Sequence, residues 1–239
     1  MVNTSGGAND QQNNECTIKF LKVVEYLQPS FVSMENVPGL GQEKNIRYLL
    51  CIVGGLLRMS YQVRTCQAKA SDFGDPQNRI RIIVLASKRG HKLPLLKPTH
   101  GEGRLPVVTA REVLRNLEDI DPVPGMGLVE IMVGGRRVAV WDHLQEGTSL
   151  SEKSDGHYVL NANLPANTVR KGNQMRHYKH DRYVTVRERA RLQSFPDNHR
   201  LAGSRKDMFD QIGNAVPVGL AEAIGRAVME SYQLGRHEP

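Results

Sequence analysis

The residues best suited to chemistry stand at the end of a short apolar run. Phe31-Val-Ser-Met34 leads directly into Glu35 and Asn36, and Val37 then enters a Pro38-Gly39 turn. An apolar run stopped by Pro-Gly reads as a β-strand and its terminating turn. In open α/β sheets ligands gather at strand ends. A carboxylate held there is placed to exchange a proton with a bound heterocycle. Taken alone, Glu35 would serve equally well as a solvated strand cap. A second set of reactive types lies in Gln77-Asn-Arg79-Ile-Arg81. Arginine keeps its charge and presents a rigid fork of donors, so it suits fixed recognition of a planar polar group. By itself this block could equally neutralise nearby acids at a basic strand start.

The elements that would position these groups follow from periodicity. Ile18, Leu21, Val24 and Leu27 have helical spacing and are closed by Pro29. A second helix is predicted over 44–57 with Ile46, Leu49, Leu50, Val53 and Leu57 on one face. Strands are predicted at 61–68 and 81–87, giving a helix–strand–helix–strand rhythm of Rossmann type. Thr109 with Glu112, and Thr185 with Glu188, are capping boxes that open helices. Between them the rhythm changes. Residues 131–140 read as a β-hairpin turning at Gly134-Gly135, and a basic run follows with Arg170, Lys171, Arg176, Lys179 and Arg182. A last helix is predicted from Pro217 to before Gly235, while residues 1–15 are polar and read as a loop.

Composition narrows the class. The chain of 239 residues carries a formal charge of +7, which favours a polyanionic partner, most simply nucleic acid. Its cysteines, Cys16, Cys51 and Cys66, have no metal-ligand spacing, so neither a zinc site nor a disulfide framework is expected. That fits a reducing, intracellular compartment. No run is long and apolar enough to span a membrane.

Four blocks stand in one order: Glu35-Asn36-Val37; Gly74-Asp-Pro-Gln-Asn-Arg-Ile-Arg81; Arg187-Glu-Arg-Ala-Arg-Leu-Gln-Ser-Phe-Pro196; and Gln211-Ile-Gly-Asn-Ala-Val-Pro217. Together they resemble the C-terminal motifs of the C5-cytosine DNA methyltransferase family. The resemblance implies an α/β, Rossmann-like S-adenosylmethionine-dependent methyltransferase fold, lacking its first strands, with a small β-rich target-recognition lobe. Residues 1–120 and 181–239 would form the catalytic domain and 121–180 the lobe. It implies Glu35 as the partner of cytosine N3, Arg81 at O2 of a flipped cytosine, and Arg79 supporting the pocket against Glu35. Asn214, Ala215 and Val216 would line the S-adenosylmethionine pocket. Asn36, Gln77, Arg170, Lys171, Arg176 and Lys179 would face nucleic acid.

The sequence departs from that family in having no Phe-x-Gly-x-Gly cofactor turn and no Pro-Cys dipeptide. The expectation is a clipped or split enzyme, inactive alone, whose second polypeptide would carry the cofactor loop and the nucleophilic cysteine. Two alternatives remain: a transfer-RNA cytosine methyltransferase of the same family, and a catalytically silent nucleic-acid-binding protein. The polar opening and short lobe favour a eukaryotic source and hence a nuclear location.

Overall fold

A computed structural model describes residues 8–117, 130–133, 136–139, 158–171, 175–180 and 182–234. The chain divides into two compact units, one of residues 1–69, 80–98 and 220–239, the other of residues 70–79 and 99–219.

The first unit is built on three strands: β1 (Phe31–Asn36), β2 (Tyr61–Lys69) and β3 (Ile80–Lys88). Their order is β1-β3-β2, with β3 antiparallel to both neighbours. The order follows from the connections. The crossover from β1 to β2 carries a helix, α2 (Ile46–Arg58), which brings β2 back parallel to β1 and leaves a gap between them. The shorter return through 70–79 lets β3 fill that gap. The mixed α/β character is as expected, but the central strand runs against its neighbours rather than with them. Among the described residues β1 has no second strand partner, so it forms the edge of the sheet.

One sheet face, carrying Val32, Met34, Val84 and Ala86, packs on α1 (Ala8–Leu27) and α2 through Leu21, Val24, Ile52 and Leu56. Gly55 makes this packing possible, because a Cβ there would meet the Leu21 side chain at 2.7 Å. The structure corrects two expectations. Helix α1 begins at Ala8 rather than Cys16, because adding residues to a helix already anchored further along costs little, even though Asn9, Asp10, Asn13 and Asn14 are weak helix formers. The buried stripe of α2 is Ile52, Gly55 and Leu56, while Leu50 and Leu57 are 62% and 55% exposed. The apolar residues of α2 cover more than one face, and packing on α1 chooses among them. The last helix, α6 (Val218–Leu234), buries Leu220, Ala227 and Ser231 at helical spacing.

The second unit contains α3 (Ala110–Leu114), β4 (Glu130–Val133) paired antiparallel with β5 (Arg136–Ala139), β6 (Tyr158–Val159) paired parallel with β7 (Met175–Arg176), α4 (Val186–Arg191) and α5 (Arg205–Asn214). Both predicted capping boxes form, Thr109 with Glu112 and Thr185 with Glu188, and Ser204 with Asp207 makes a third. The strands of the predicted hairpin pair as expected, while its turn at Gly134-Gly135 lies outside the described residues, as does most of 121–157. Leu114, Leu160, Met175, Ala190, Leu192 and Ile212 form the core of this unit.

Candidate active site

Strand register brings Glu35 and Arg81 together. Glu35 stands opposite Ile83 of β3, and Arg81 precedes Ile83 by two residues, so it shares the same sheet face as Glu35's diagonal neighbour. That spacing suits a long side chain. Arg81 Nε lies 2.6 Å from Glu35 Oε1, with side-chain exposures of 9% and 26%. The guanidinium also donates from Nη1 to the Ile80 carbonyl at 2.7 Å, which fixes its tilt. The arginine is thus mostly enclosed while the carboxylate keeps an open edge.

The turn after Glu35 is fixed at both ends. Asn36 Oδ1 accepts the Val37 N–H at 2.8 Å. Val37 is extended, as a residue before proline prefers, and Pro38 opens a short 3-10 helix over Pro38–Gly41. Leu40 is fully buried there, and Asn45 Nδ2 donates to the Gly39 carbonyl at 2.9 Å.

Gln77 and Arg79 belong to the second unit and are interior. Gln77 is fully buried. Its Nε2 donates to the Leu192 carbonyl at 2.8 Å and to Gln193 Oε1 at 2.7 Å, and its Oε1 accepts the Val169 N–H at 3.1 Å. Arg79, 3% exposed, donates to the Val169 carbonyl at 2.5 Å and the Gly213 carbonyl at 3.0 Å. Gln193 continues the chain of contacts, donating to the Ile212 carbonyl at 2.5 Å while its own carbonyl accepts from Val218 N–H at 3.1 Å. Asp75 Oδ1 accepts from Gly219 N–H at 2.9 Å. The second, third and fourth sequence blocks are therefore tied by buried side-chain amides and a guanidinium. Gln193 and Asp75 were not singled out from sequence; their only signal was membership of those blocks.

This hub holds the loop with the expected cofactor residues. Asn214 is exposed, and Ala215 and Val216 are half-buried, at the C-terminal end of α5. Gly213 beside them has no room for a side chain, since a Cβ would run into the backbone of Arg170 and Lys171. Gly213→Ala should therefore displace the segment at 170–171 and lower the thermal midpoint by several degrees, an unchanged midpoint excluding this close packing.

The basic residues of the lobe divide. Arg170, Lys171 and Lys179 are exposed. Arg176 is 2% exposed within β7, so its charge is not presented to solvent. Arg189, 1% exposed, lies over the Phe209 ring at 4.4 Å and donates to the Arg170 carbonyl at 3.2 Å; burial pushes its pKa down to about 10. Glu188 is fully buried and accepts two 2.7 Å bonds from Arg182. Burial alone would raise its pKa, but Arg182 and the Thr185 N–H outweigh burial and hold it below the usual value.

Among the described residues no group of three His, Cys, Asp or Glu could hold a metal ion, and no helix is long and apolar enough to cross a membrane. Cys16 and Cys51 are exposed on helices. Cys66 is half-buried in β2, where burial raises its thiol pKa, the opposite of activation.

The chain is 31% identical over 235 residues to the type II methyltransferase M1.HphI of Haemophilus parahaemolyticus, covering 92% of this chain and 62% of that protein. It is 33% identical over 221 residues to the type II methyltransferase M.AplI of Arthrospira platensis, covering 87% of this chain and 59% of that one. It thus spans less than two thirds of the length of these relatives. Among solved structures it resembles a DNA modification methyltransferase encoded within an E. coli prophage, with a TM-score of 0.76, 23% identity, and coverage of 94% of this chain and 76% of that one. S. pombe Dnmt2 methyltransferase superposes with a TM-score of 0.61 and 16% identity, covering 90% and 71%. These two likenesses establish the S-adenosylmethionine-dependent methyltransferase fold. Most of the sequence relatives are bacterial, which gives the expected nuclear location no support. The family model for C-5 cytosine-specific DNA methylases matches residues 3–230, and the chain belongs to that family.

Proposed function

We propose that this chain supplies the base-recognition side of a DNA (cytosine-5-)-methyltransferase. The observation that carries the reading is the Glu35–Arg81 pair, a partly open carboxylate held at 2.6 Å by an arginine that is itself oriented by backbone. Cytosine C5 is a poor nucleophile until the ring is polarised. Glu35 would hold a proton at N3, which draws electron density from the ring as a thiolate adds at C6. Arg81 would both fix that carboxylate and donate to O2, a second pull in the same direction. Reaching these groups requires the cytosine to leave the duplex stack.

S-adenosylmethionine, when bound, supplies the methyl group. The chain's contribution to its pocket fits: an exposed Asn214 carboxamide beside half-buried Ala215 and Val216 offers polar contact next to an apolar wall. The Gln77–Gln193–Ile212 bonds hold that wall in place. No Pro-Cys turn occurs in these 239 residues, and burial raises the Cys66 thiol pKa, so in this reading the attacking thiolate would be supplied by another segment or polypeptide. Residues 121–180 would serve as the recognition lobe.

The test is methyl acceptance from labelled S-adenosylmethionine by duplex DNA and by transfer RNA. The 239-residue polypeptide alone should label neither. Supplied with a polypeptide carrying the cofactor turn and a Pro-Cys loop, it should label duplex DNA. Labelling of transfer RNA only would replace the substrate, and binding without labelling by an assembly that holds the cofactor would refute catalysis.

A further inference from the structure

Helix α5 begins with two adjacent cations, Arg205 and Lys206, each supported by its neighbour one turn on. Arg205 lies over the Phe209 ring at 5.1 Å, and Lys206 pairs with Asp210 at 3.2 Å. Asp210 is shared. Lys171, thirty-five positions earlier than Lys206, reaches the same Oδ2 atom at 3.1 Å. Two ammonium groups from distant segments therefore face one another across a single oxygen, with side-chain exposures of 53% and 79% against 18% for the carboxylate.

Stability does not account for this arrangement. Exposed ion pairs add little, and the second lysine brings repulsion from the first. Asp207, beside Lys206, and Asp210 carry two negative charges against the four positive charges of Arg170, Lys171, Arg205 and Lys206 on the same two segments. The backbone that presents Lys171 is held firmly. Arg189 binds the Arg170 carbonyl, Gln77 and Arg79 bind both polar groups of Val169, and Gly213 packs against 170–171. The cluster is a firmly held surface of net positive charge, which suits a phosphodiester.

We propose that Lys171 and Lys206, with Arg205 beside them, form a phosphate-contacting surface for the backbone of duplex DNA, and that Asp210 holds the two lysines together until phosphate replaces it. The inference rests on the proposed DNA substrate but not on methyl transfer. It adds α5 to the nucleic-acid face, where the sequence placed Asn36, Gln77, Arg170, Lys171, Arg176 and Lys179.

The experiment is the salt dependence of binding of the full 239-residue chain to a short duplex. Each phosphate contact contributes roughly one unit to the slope of log Kd against log salt. Lys171→Gln with Lys206→Gln should lower that slope by about two units, with circular dichroism unchanged because both side chains are exposed. Asp210→Asn should tighten binding, since it removes a carboxylate that competes with phosphate. A double variant with the parent slope overturns the proposal, as does a parent chain that does not bind duplex. A slope change on transfer RNA and not on duplex also overturns it. Failed methylation with the slope change intact would count against the catalytic reading and leave this surface standing.

Discussion

Glu35→Gln should abolish methyl transfer in an assembly competent for it, while leaving DNA binding within a few-fold of the parent. The amide has nearly the shape of the carboxylate and could still donate a hydrogen bond toward a ring nitrogen, but it has no proton to give and take. Losing a positioned general acid typically costs roughly 10²–10⁴ in rate. The substitution also removes the charge that Arg81 meets at 2.6 Å. The rate of the chemical step should therefore fall, and substrate affinity should change little. Arg81→Lys gives the companion measurement: it keeps the positive charge but loses the fork that reaches Glu35 and the Ile80 carbonyl together. Its rate should fall less than that of the Gln variant. Retention of full methyl transfer by Glu35→Gln would remove Glu35 from the chemistry and leave the pair as a sheet-surface ion pair.

The resemblance set Arg79 against Glu35, whereas the structure pairs that carboxylate with Arg81, and the physical reason is that strands have a period of two. Once Phe31–Asn36 and Ile80–Lys88 are adjacent, residues of like parity share a face, and an arginine two positions from the facing residue reaches a carboxylate. The capping boxes were plain, being local. What also escaped was burial of polar residues. Gln77 and Arg176 have the composition of a surface, and nothing in a neighbouring residue indicates that the interior satisfies them. Gln77 faces inward because Leu192, Gln193 and Val169, all more than ninety positions away, offer it three partners. The convergence of Lys171 and Lys206 on Asp210 is likewise a tertiary fact. The face of α2 was misjudged for a related reason: with apolar residues on more than one side, the partner helix decides which is buried.

Glu188→Ala should be the most destabilising single change in the second unit. Glu188 closes the capping box of α4, accepts both bonds of the Arg182 fork, and faces His177 Nε2 at 3.6 Å, all in the interior. The His177 ring accepts backbone N–H bonds from Lys179 and His180 at Nδ1, which leaves its proton on Nε2, toward the carboxylate. Removing Glu188 strands Arg182, 6% exposed, as an unpaired buried cation. Breaking a buried pair in this way costs about 3–5 kcal/mol, against a typical domain stability of about 5–15. Urea unfolding followed by circular dichroism would show the midpoint fall accordingly. The pH dependence distinguishes the charge from the packing. Because the folded-state pKa of Glu188 is held below its ordinary 4.5, its contribution is fully present above that pH and is lost as pH falls through the lower folded value. The parent should lose stability across that acid window, and Glu188→Gln, already without the charge, should lose less over the same range. Equal acid sensitivity in parent and Gln variant would mean that the carboxylate acts here as a well-packed hydrogen-bond acceptor whose charge adds nothing.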